Sequence, residues 1–266
     1  MALRRLDAEL TRRGLARSRE HARELIAAGA VVVRGTVAGK PATQVNDFDS
    51  IVVQVDDVGH GYVSRGAVKL AGALDHFSAI DVNGRLCLDA GASTGGFTEV
   101  LLRRGAAGVL AVDVGYGQLA WSLRTDERVH VYERMNVRAM TPEDFLFQPD
   151  IVVADLSFIS LEIVLPALRR TAEPEADFVL MVKPQFEVGR EFVGDGVIRD
   201  PLLRAQAVHK VATSAASLGL STLGVVASPL PGPSGNVEFF LWLKAGKPAT
   251  DTLDSMISRA IEEGPQ

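Results

Sequence analysis

Asp89-Ala90-Gly91-Ala92-Ser93-Thr94-Gly95-Gly96-Phe97 is the stretch on which the fold turns. An apolar run, Arg85–Asp89, leads into it and a helical pattern, Thr94–Arg104, leads out, so the glycines fall at a strand-to-helix turn. Glycine there lets backbone approach a ligand closely, at the sheet edge where doubly wound folds bind. Several loops share that setting. A dinucleotide loop wants Gly-x-Gly-x-x-Gly, and Ser93 stands where its second glycine belongs. A P-loop ends in Gly-Lys-Ser/Thr, which is missing. Gly91-Ala92-Ser93-Thr94-Gly95 fits the Gly-x-Ser-x-Gly nucleophile elbow, and Ser93, Asp155 and His209 follow in the order of a hydrolase triad.

Two acids weigh against the hydrolase. Asp89 lies two residues before the first glycine, where a carboxylate meets a cationic group. Asp113 ends the next strand, at about the distance where an acid binds ribose hydroxyls. An acid, a glycine turn and a second acid suit a nucleoside carrying an amino-acid arm. No oxyanion-loop glycine cluster precedes the turn. The candidate ligand residues are therefore Asp89, Gly91, Ser93, Thr94, Gly95, Gly96, Phe97 and Asp113. Asn136, just after the third strand, is placed to approach an adenine edge, although an asparagine in a loop is commonplace.

Outward from the turn, apolar runs alternate with helical patterns. Arg85–Asp89, Val109–Asp113, Val129–Tyr132, Ile151–Asp155, Phe178–Lys183, Thr222–Ala227 and Val237–Leu243 read as seven strands. Helices fill Thr94–Arg104, Gln118–Arg124, Leu161–Arg170, Pro201–Leu218 and Thr250–Glu263. Near-continuous apolar strands separated by helices predict an α/β doubly wound sheet covered on both faces. Gly189–Asp200, with three glycines and several charges, reads as a loop able to close over substrate, or as an ordinary surface loop.

Toward the N-terminus the character changes. Leu6, Leu10 and Leu15 follow helical spacing, Ser18 reads as the N-cap of a second helix, and Gly29 as its C′ residue. Val31-Val32-Val33, a turn at Arg34-Gly35, and a return to Val53 read as short strands. The chain's net charge is −5, yet residues 1–40 hold nine basic groups against four acids, +5 locally, leaving −10 for the remainder. That asymmetry points to a polyanion-binding module, residues 1–60, joined by a linker, 61–64, to a catalytic domain, 65–266. The lone Cys87 excludes internal disulfides and cysteine-based zinc clusters, and the five histidines show no metal-ligand spacing. No apolar run of membrane-spanning length and no secretory signal is visible, so a cytoplasmic protein is expected.

Three ionisable residues end apolar strands or sit beside them: Asp155 in Ala154-Asp155-Leu156-Ser157-Phe158, Lys183 in Val182-Lys183-Pro184-Gln185-Phe186, and Glu238 in Asn236-Val237-Glu238-Phe239. Lys69 precedes the sheet on a helical segment. Charges among such flanks are costly to bury unless paired or functional. Singly, each is more often an ordinary ion-pair residue; together at one sheet edge they mean more.

The series Lys69, Asp155, Lys183, Glu238 resembles the Lys-Asp-Lys-Glu tetrad of FtsJ/RrmJ-type ribose 2′-O-methyltransferases. Over essentially its full length the chain resembles the TlyA family. Arg5-Leu6-Asp7, Gly14–Arg19, Gly29-Ala30-Val31 and Lys40-Pro41 are similar to the ribosomal-protein S-four-type RNA-binding domain. Asp89–Phe97, Asp113–Leu119, Ala154–Ser160, Lys183–Gly189 and Ser228–Glu238 match the TlyA pattern. Ser93-Thr94 stands where FtsJ-type enzymes usually carry Ala-Pro. The resemblance implies a Rossmann-like class I methyltransferase that uses S-adenosylmethionine to methylate cytidine 2′-hydroxyls in 16S and 23S ribosomal RNA. It implies no metal. A ribose hydroxyl is a poor nucleophile near neutral pH, so Lys183 is the candidate base or alkoxide stabiliser, oriented by Asp155 and Glu238 beside Lys69. Arg4, Arg5, Arg17, Arg19 and Lys40 are the candidate phosphate contacts, continued by Arg65 and Arg134 toward the active site. Two rivals remain at this point, a non-catalytic ribosome-assembly factor and a haemolysin. The second would call for an amphipathic membrane segment, which is not found.

Overall fold

The structure is a computed structural model describing residues 3–16, 18–27, 29–53, 61–194, 196–246 and 249–265. Arg17, His60 and the end of the expected N-terminal module after Val53 lie outside the described residues.

The first fifty residues build a small α+β unit. Its elements are β1 (Arg4–Arg5), α1 (Leu6–Arg12), α2 (Arg19–Ala27), β2 (Val31–Val33), β3 (Thr36–Val37), β4 (Gln44–Val45) and β5 (Ile51–Val53). Strand β1 pairs antiparallel with β4, and β2 lies between β3 and β5. The expected turn signals act as read. Gly29, at φ +72°, closes α2: its N–H reaches the Ile26 carbonyl while Ala30 N–H reaches that of Leu25. Arg34 and Gly35, both at positive φ, make the two-residue hairpin between β2 and β3. Leu6, Leu10, Ala22, Ile26, Val31 and Ile51 form the core, each with at most 2% of its surface exposed.

The rest forms α3 (Gly66–His76), β6 (Leu86–Ala90), α4 (Gly96–Arg103), β7 (Gly108–Asp113), α5 (Trp121–Arg124), β8 (Val129–Glu133), β9 (Ile151–Ala154), α6 (Leu161–Thr171), β10 (Asp177–Val182), α7 (Pro184–Glu187), α8 (Pro201–Ser217), β11 (Leu220–Ala227), β12 (Phe239–Ala245) and α9 (Leu253–Glu263). Their seven strands make one sheet in the order β11-β12-β10-β9-β6-β7-β8. Strands β8, β7, β6, β9 and β10 run parallel, and β12 runs antiparallel to both β10 and β11. Strand alternation sorts the side chains. Cys87, Val109, Ile151, Val153 and Val179 pack under α3 and α4, while Leu88, Leu110, Val152, Phe178 and Leu180 pack under α6, α8 and α9. Both faces are covered, as near-continuous apolar strands require, and each fully buried side chain contributes about 1.5–3 kcal/mol of transfer free energy.

Helices α6 and α8 begin at Leu161 and Pro201 as the sequence pattern predicts, whereas α4, α5 and α9 start later, for local reasons. Gly95 at φ +101° is the N-cap of α4, so that helix begins at Gly96 and not at Thr94. Gly117 is left-handed at φ +68°, and the Gln118 amide donates to the Arg13 carbonyl at 2.8 Å, which leaves α5 to begin at Trp121. Thr252 caps α9 through Ser255 N–H, so that helix begins at Leu253. The same Gln118 bond joins the small unit to the sheet domain, together with Arg13 Nη1 on the Gly117 carbonyl at 3.5 Å.

Candidate active site

The chain runs outward from β6 through β7 to β8, then returns to the other side of β6 as β9 and continues to β10. This reversal opens a crevice at the carboxyl ends of the parallel strands, where such sheets place ligands. A cleft of about 470 Å³ occupies it, with Gly14, Gly91, Ser93, Asp113, Asn136, Asp155 and Phe158 among its walls.

The glycine turn is built by close approach. A Cβ on Gly91, which sits at φ +90°, would stand 2.5 Å from the Asp155 carbonyl oxygen, so the turn after β6 packs directly on that after β9. Ser93 takes a left-handed φ of +49°, and its N–H donates to Asp113 Oδ2 at 2.8 Å. Asp113 Oδ1 accepts from Gly115 N–H at 2.6 Å, which fixes the carboxylate at the cleft wall. Asn136 is exposed on the same wall, its Oδ1 accepting from Arg138 N–H.

The other expected ligand residues lie differently. Thr94 is half-buried, and its carbonyl accepts from Ala120 N–H. Gly95, Gly96 and Phe97 are buried behind the cleft, with the Phe97 ring 6.0 Å from that of Phe240. Asp89 is wholly buried as well. Its Oδ2 accepts from both Thr98 N–H and Thr98 Oγ1, while Oδ1 has no hydrogen-bond partner. Burial pushes this carboxyl up to about 7, against the pull of the Thr98 bonds.

Each of the four expected reactive residues has an ionic partner within the set. Lys69 Nζ donates to Glu238 Oε2 at 2.5 Å, deep in the fold. Lys183 Nζ pairs with Asp155 Oδ1 at 2.5 Å and donates to Ser157 Oγ at 3.0 Å. The register Val182↔Phe239 puts Lys183 and Glu238 at adjacent strand ends, and Leu180↔Ala154 does the same for Asp155. Because β12 is antiparallel, its start lies at the same edge as the ends of β9 and β10. The hydrolase arrangement is not assembled: His209 lies on α8 with Nε2 3.6 Å from Asp254, and Asp155 belongs to Lys183.

Several side chains at this edge were not singled out by the sequence reading. Phe158, at φ +64°, is 92% exposed on the cleft rim, its ring 5.3 Å from that of Phe186. Glu187 is buried and accepts from Ser160 Oγ and Leu161 N–H. Asn236, 2% exposed, accepts from Ile198 N–H and donates to the Gly196 carbonyl. The loop read as a possible substrate cover is therefore tied down at 196–198. A charged or amide residue between apolar neighbours, as in Phe186-Glu187-Val188, was the available signal.

Among the described residues, the expected phosphate contacts are exposed or half-exposed but mostly paired. Arg5, Arg19 and Arg23 surround the buried Asp7; burial raises that carboxyl, but the Arg5 and Arg19 guanidiniums outweigh it and hold it at about 2. Arg12 and Arg13 hold Glu9 at about 2 despite its burial. Arg4 pairs with Asp47, Lys40 is exposed, and Arg134 lies over the Tyr116 ring at 4.3 Å. Arg65 is half-buried and donates to the Pro231 carbonyl.

Residues 62–245 match the family model of FtsJ-like methyltransferases, and residues 4–51 match that of the S4 domain. The chain is 60% identical over 265 residues to the 16S/23S rRNA (cytidine-2'-O)-methyltransferase TlyA of Mycobacterium tuberculosis, covering 98% of each. It is 38% identical to a protein named Hemolysin A from Brachyspira hyodysenteriae, over 88% of this chain and 97% of that one. A solved structure, "Putative hemolysin from Streptococcus thermophilus", superposes with a TM-score of 0.74 at 38% identity, covering 99% of this chain and 97% of the other.

Proposed function

The chain belongs to the FtsJ-like methyltransferases, and from that premise we propose that it transfers a methyl group from S-adenosylmethionine to the ribose 2′-hydroxyl of a cytidine in ribosomal RNA. The observation that carries the reading is the meeting of two lysine–carboxylate pairs at one sheet edge beside the cleft.

The cleft's chemistry fits the donor. Asp113 supplies a fixed carboxylate for a ribose diol, Asn136 an amide for a base edge, and Gly91 and Ser93 a backbone wall. The unpartnered Oδ1 of the buried Asp89 is an acceptor that a cationic amino-acid arm would complete. Thr94, Gly95, Gly96 and Phe97 shape the turn from behind. S-adenosylmethionine, when bound, supplies a methyl group on a sulfonium centre. The chain's own residues handle the hydroxyl. Lys183 Nζ, held between Asp155 and Ser157, would take up the hydroxyl proton in its neutral amine form, or in its ammonium form would stabilise the developing alkoxide, as the new O–C bond forms and the methyl's bond to sulfur breaks. Lys69 and Glu238 fix the start of β12 beside it. Holding the hydroxyl in line supplies much of the rate.

We assign residues 1–60 to the RNA-binding module, 61–64 to the linker and 65–266 to the catalytic domain. Arg4, Arg5, Arg17, Arg19, Lys40, Arg65 and Arg134 form the proposed RNA track, and a ribosomal substrate implies action in the cytoplasm. No helix among the described residues is long and apolar enough to cross a membrane. The test is methyl transfer from labelled S-adenosylmethionine to isolated ribosomal subunits, followed by mapping. Label on a cytidine ribose is expected; label on a base, or none, would refute the assignment.

A further inference from the structure

Lys183 and its partners sit on two separate loops, one after β9 (155–160) and one after β10 (183–187). A catalytic distance between loops is only as stable as whatever holds the loops together. At the reactive end the tie is the Lys183 ammonium itself, on Asp155 Oδ1 and Ser157 Oγ. Four residues beyond Lys183, on the single turn α7, Glu187 makes a second tie to the far end of the same partner loop. Its Oε2 accepts from Ser160 Oγ at 2.5 Å and its Oε1 from Leu161 N–H at 2.8 Å. Ser160 is also the N-cap of α6, its Oγ accepting from Glu162 N–H at 3.2 Å, so the carboxylate reaches the helix start through the cap. Between the two ties, the Phe158 and Phe186 rings touch.

We propose that Glu187 is a positioning residue for methyl transfer: it clasps the Lys183 turn to the Asp155–Ser160 loop and so sets where the Lys183 amine stands. The inference rests on the methyltransferase reading of this edge. Glu187 is 3% exposed and borders no wall of the cleft, so it touches neither substrate nor cofactor. A carboxylate in such a place is costly without its donors, and burial does raise its carboxyl, against the pull of Leu161 N–H, Ser160 and the nearby Lys210. Simple capping of α6 would need only Ser160, which already serves there. The carboxylate adds the link between loops.

The experiment measures kcat and KM for methyl transfer to ribosomal subunits, with cofactor affinity by calorimetry, for wild type, Glu187→Ala, Glu187→Gln and Ser160→Ala. Glu187→Ala should lower kcat roughly 10- to 100-fold, the scale on which sub-ångström to 1 Å misplacement acts, with cofactor affinity and KM within about threefold. Glu187→Gln, which still accepts from Leu161 N–H and can bond Ser160, should recover most of kcat. Ser160→Ala should lose kcat in the same direction by a smaller factor, and it carries the test if Glu187→Ala is insoluble. Wild-type kcat in Glu187→Ala or Ser160→Ala, or equal loss in Glu187→Ala and Glu187→Gln, overturns the proposal while leaving the methyltransferase reading intact. No turnover in the wild type removes the reading and the clasp with it.

Discussion

Lys69 and Glu238 face each other at 2.5 Å with side chains 5% and 1% exposed, whereas Lys183 and Asp155, at the same separation on the neighbouring strand ends, keep 10% and 25% of theirs open. Chemically the pairs are alike; what differs is access. A sealed pair has no water and no substrate to exchange partners with, so it acts on geometry. An open pair beside the cleft can trade its partner for an incoming hydroxyl. The acids of the glycine turn also differ in access: Asp113 stands at the cleft wall, while Asp89 is buried with one carboxylate oxygen still unpartnered.

The largest effect that would break this comparison is at the open pair. Lys183→Ala should lower methyl transfer by roughly 10²- to 10⁴-fold, the range of a lost general acid–base group, with calorimetric affinity for S-adenosylmethionine unchanged. Retained turnover would make the open pair as structural as the sealed one. At the sealed pair, Lys69→Ala leaves Glu238 buried without its cation and should cost about 3–5 kcal/mol in denaturant unfolding. The same truncation at Lys183 should cost much less, because Asp155 can be solvated. Equal losses at both lysines would erase the distinction.

The two acids sharpen it further. Asp113→Ala should weaken cofactor affinity roughly 10- to 100-fold, on the scale of about 1.5–3 kcal/mol for a hydrogen bond to a charged group, with little loss of stability. Asp89 should show itself through pH. Its folded carboxyl, pushed up to about 7 by burial, binds its proton more tightly than the unfolded chain, whose value is near 3.8. Stability of the ligand-free protein therefore falls as pH rises between those values, and Asp89→Asn should flatten that slope in thermal unfolding. The smallest effect belongs to the surface arginines. Arg5→Ala and Arg19→Ala should each reduce the slope of log affinity for RNA against log salt by about 0.9 if each meets one phosphate. An unchanged slope would leave them only as partners of Asp7.

Much of this edge was legible in the sequence because burial of charge is visible there. Asp155, Lys183 and Glu238 stand at the ends of apolar strands, and the Asp89 and Asp113 spacing follows from one strand-turn-helix unit. Strand order and the reversed direction of β12 were not legible, since alternation of apolar runs says nothing about which neighbours pair. Nor was exposure within the glycine turn: Gly91 and Gly95 read alike, yet one walls the cleft and the other starts a helix behind it. Ser157, Phe158 and Glu187 escaped because loops carry no periodicity, and their contacts join segments about 26 residues apart. The charge excess of +5 in residues 1–40 already has Asp7 and Glu9 subtracted, and two acids just beyond that stretch, Asp47 and Asp49, pair with Arg4, Arg12 and Arg34.

The turn between α1 and α2 touches both halves of the molecule at once. Gly14 faces the cleft that Asp113 walls, while Arg13 holds Glu9 on one side and the Gly117 carbonyl on the other. A polyanion seated across the arginines of α1 and α2 would thus neighbour a turn that also walls the cleft. Whatever preference one ligand gains from the other's presence must be returned in equal measure.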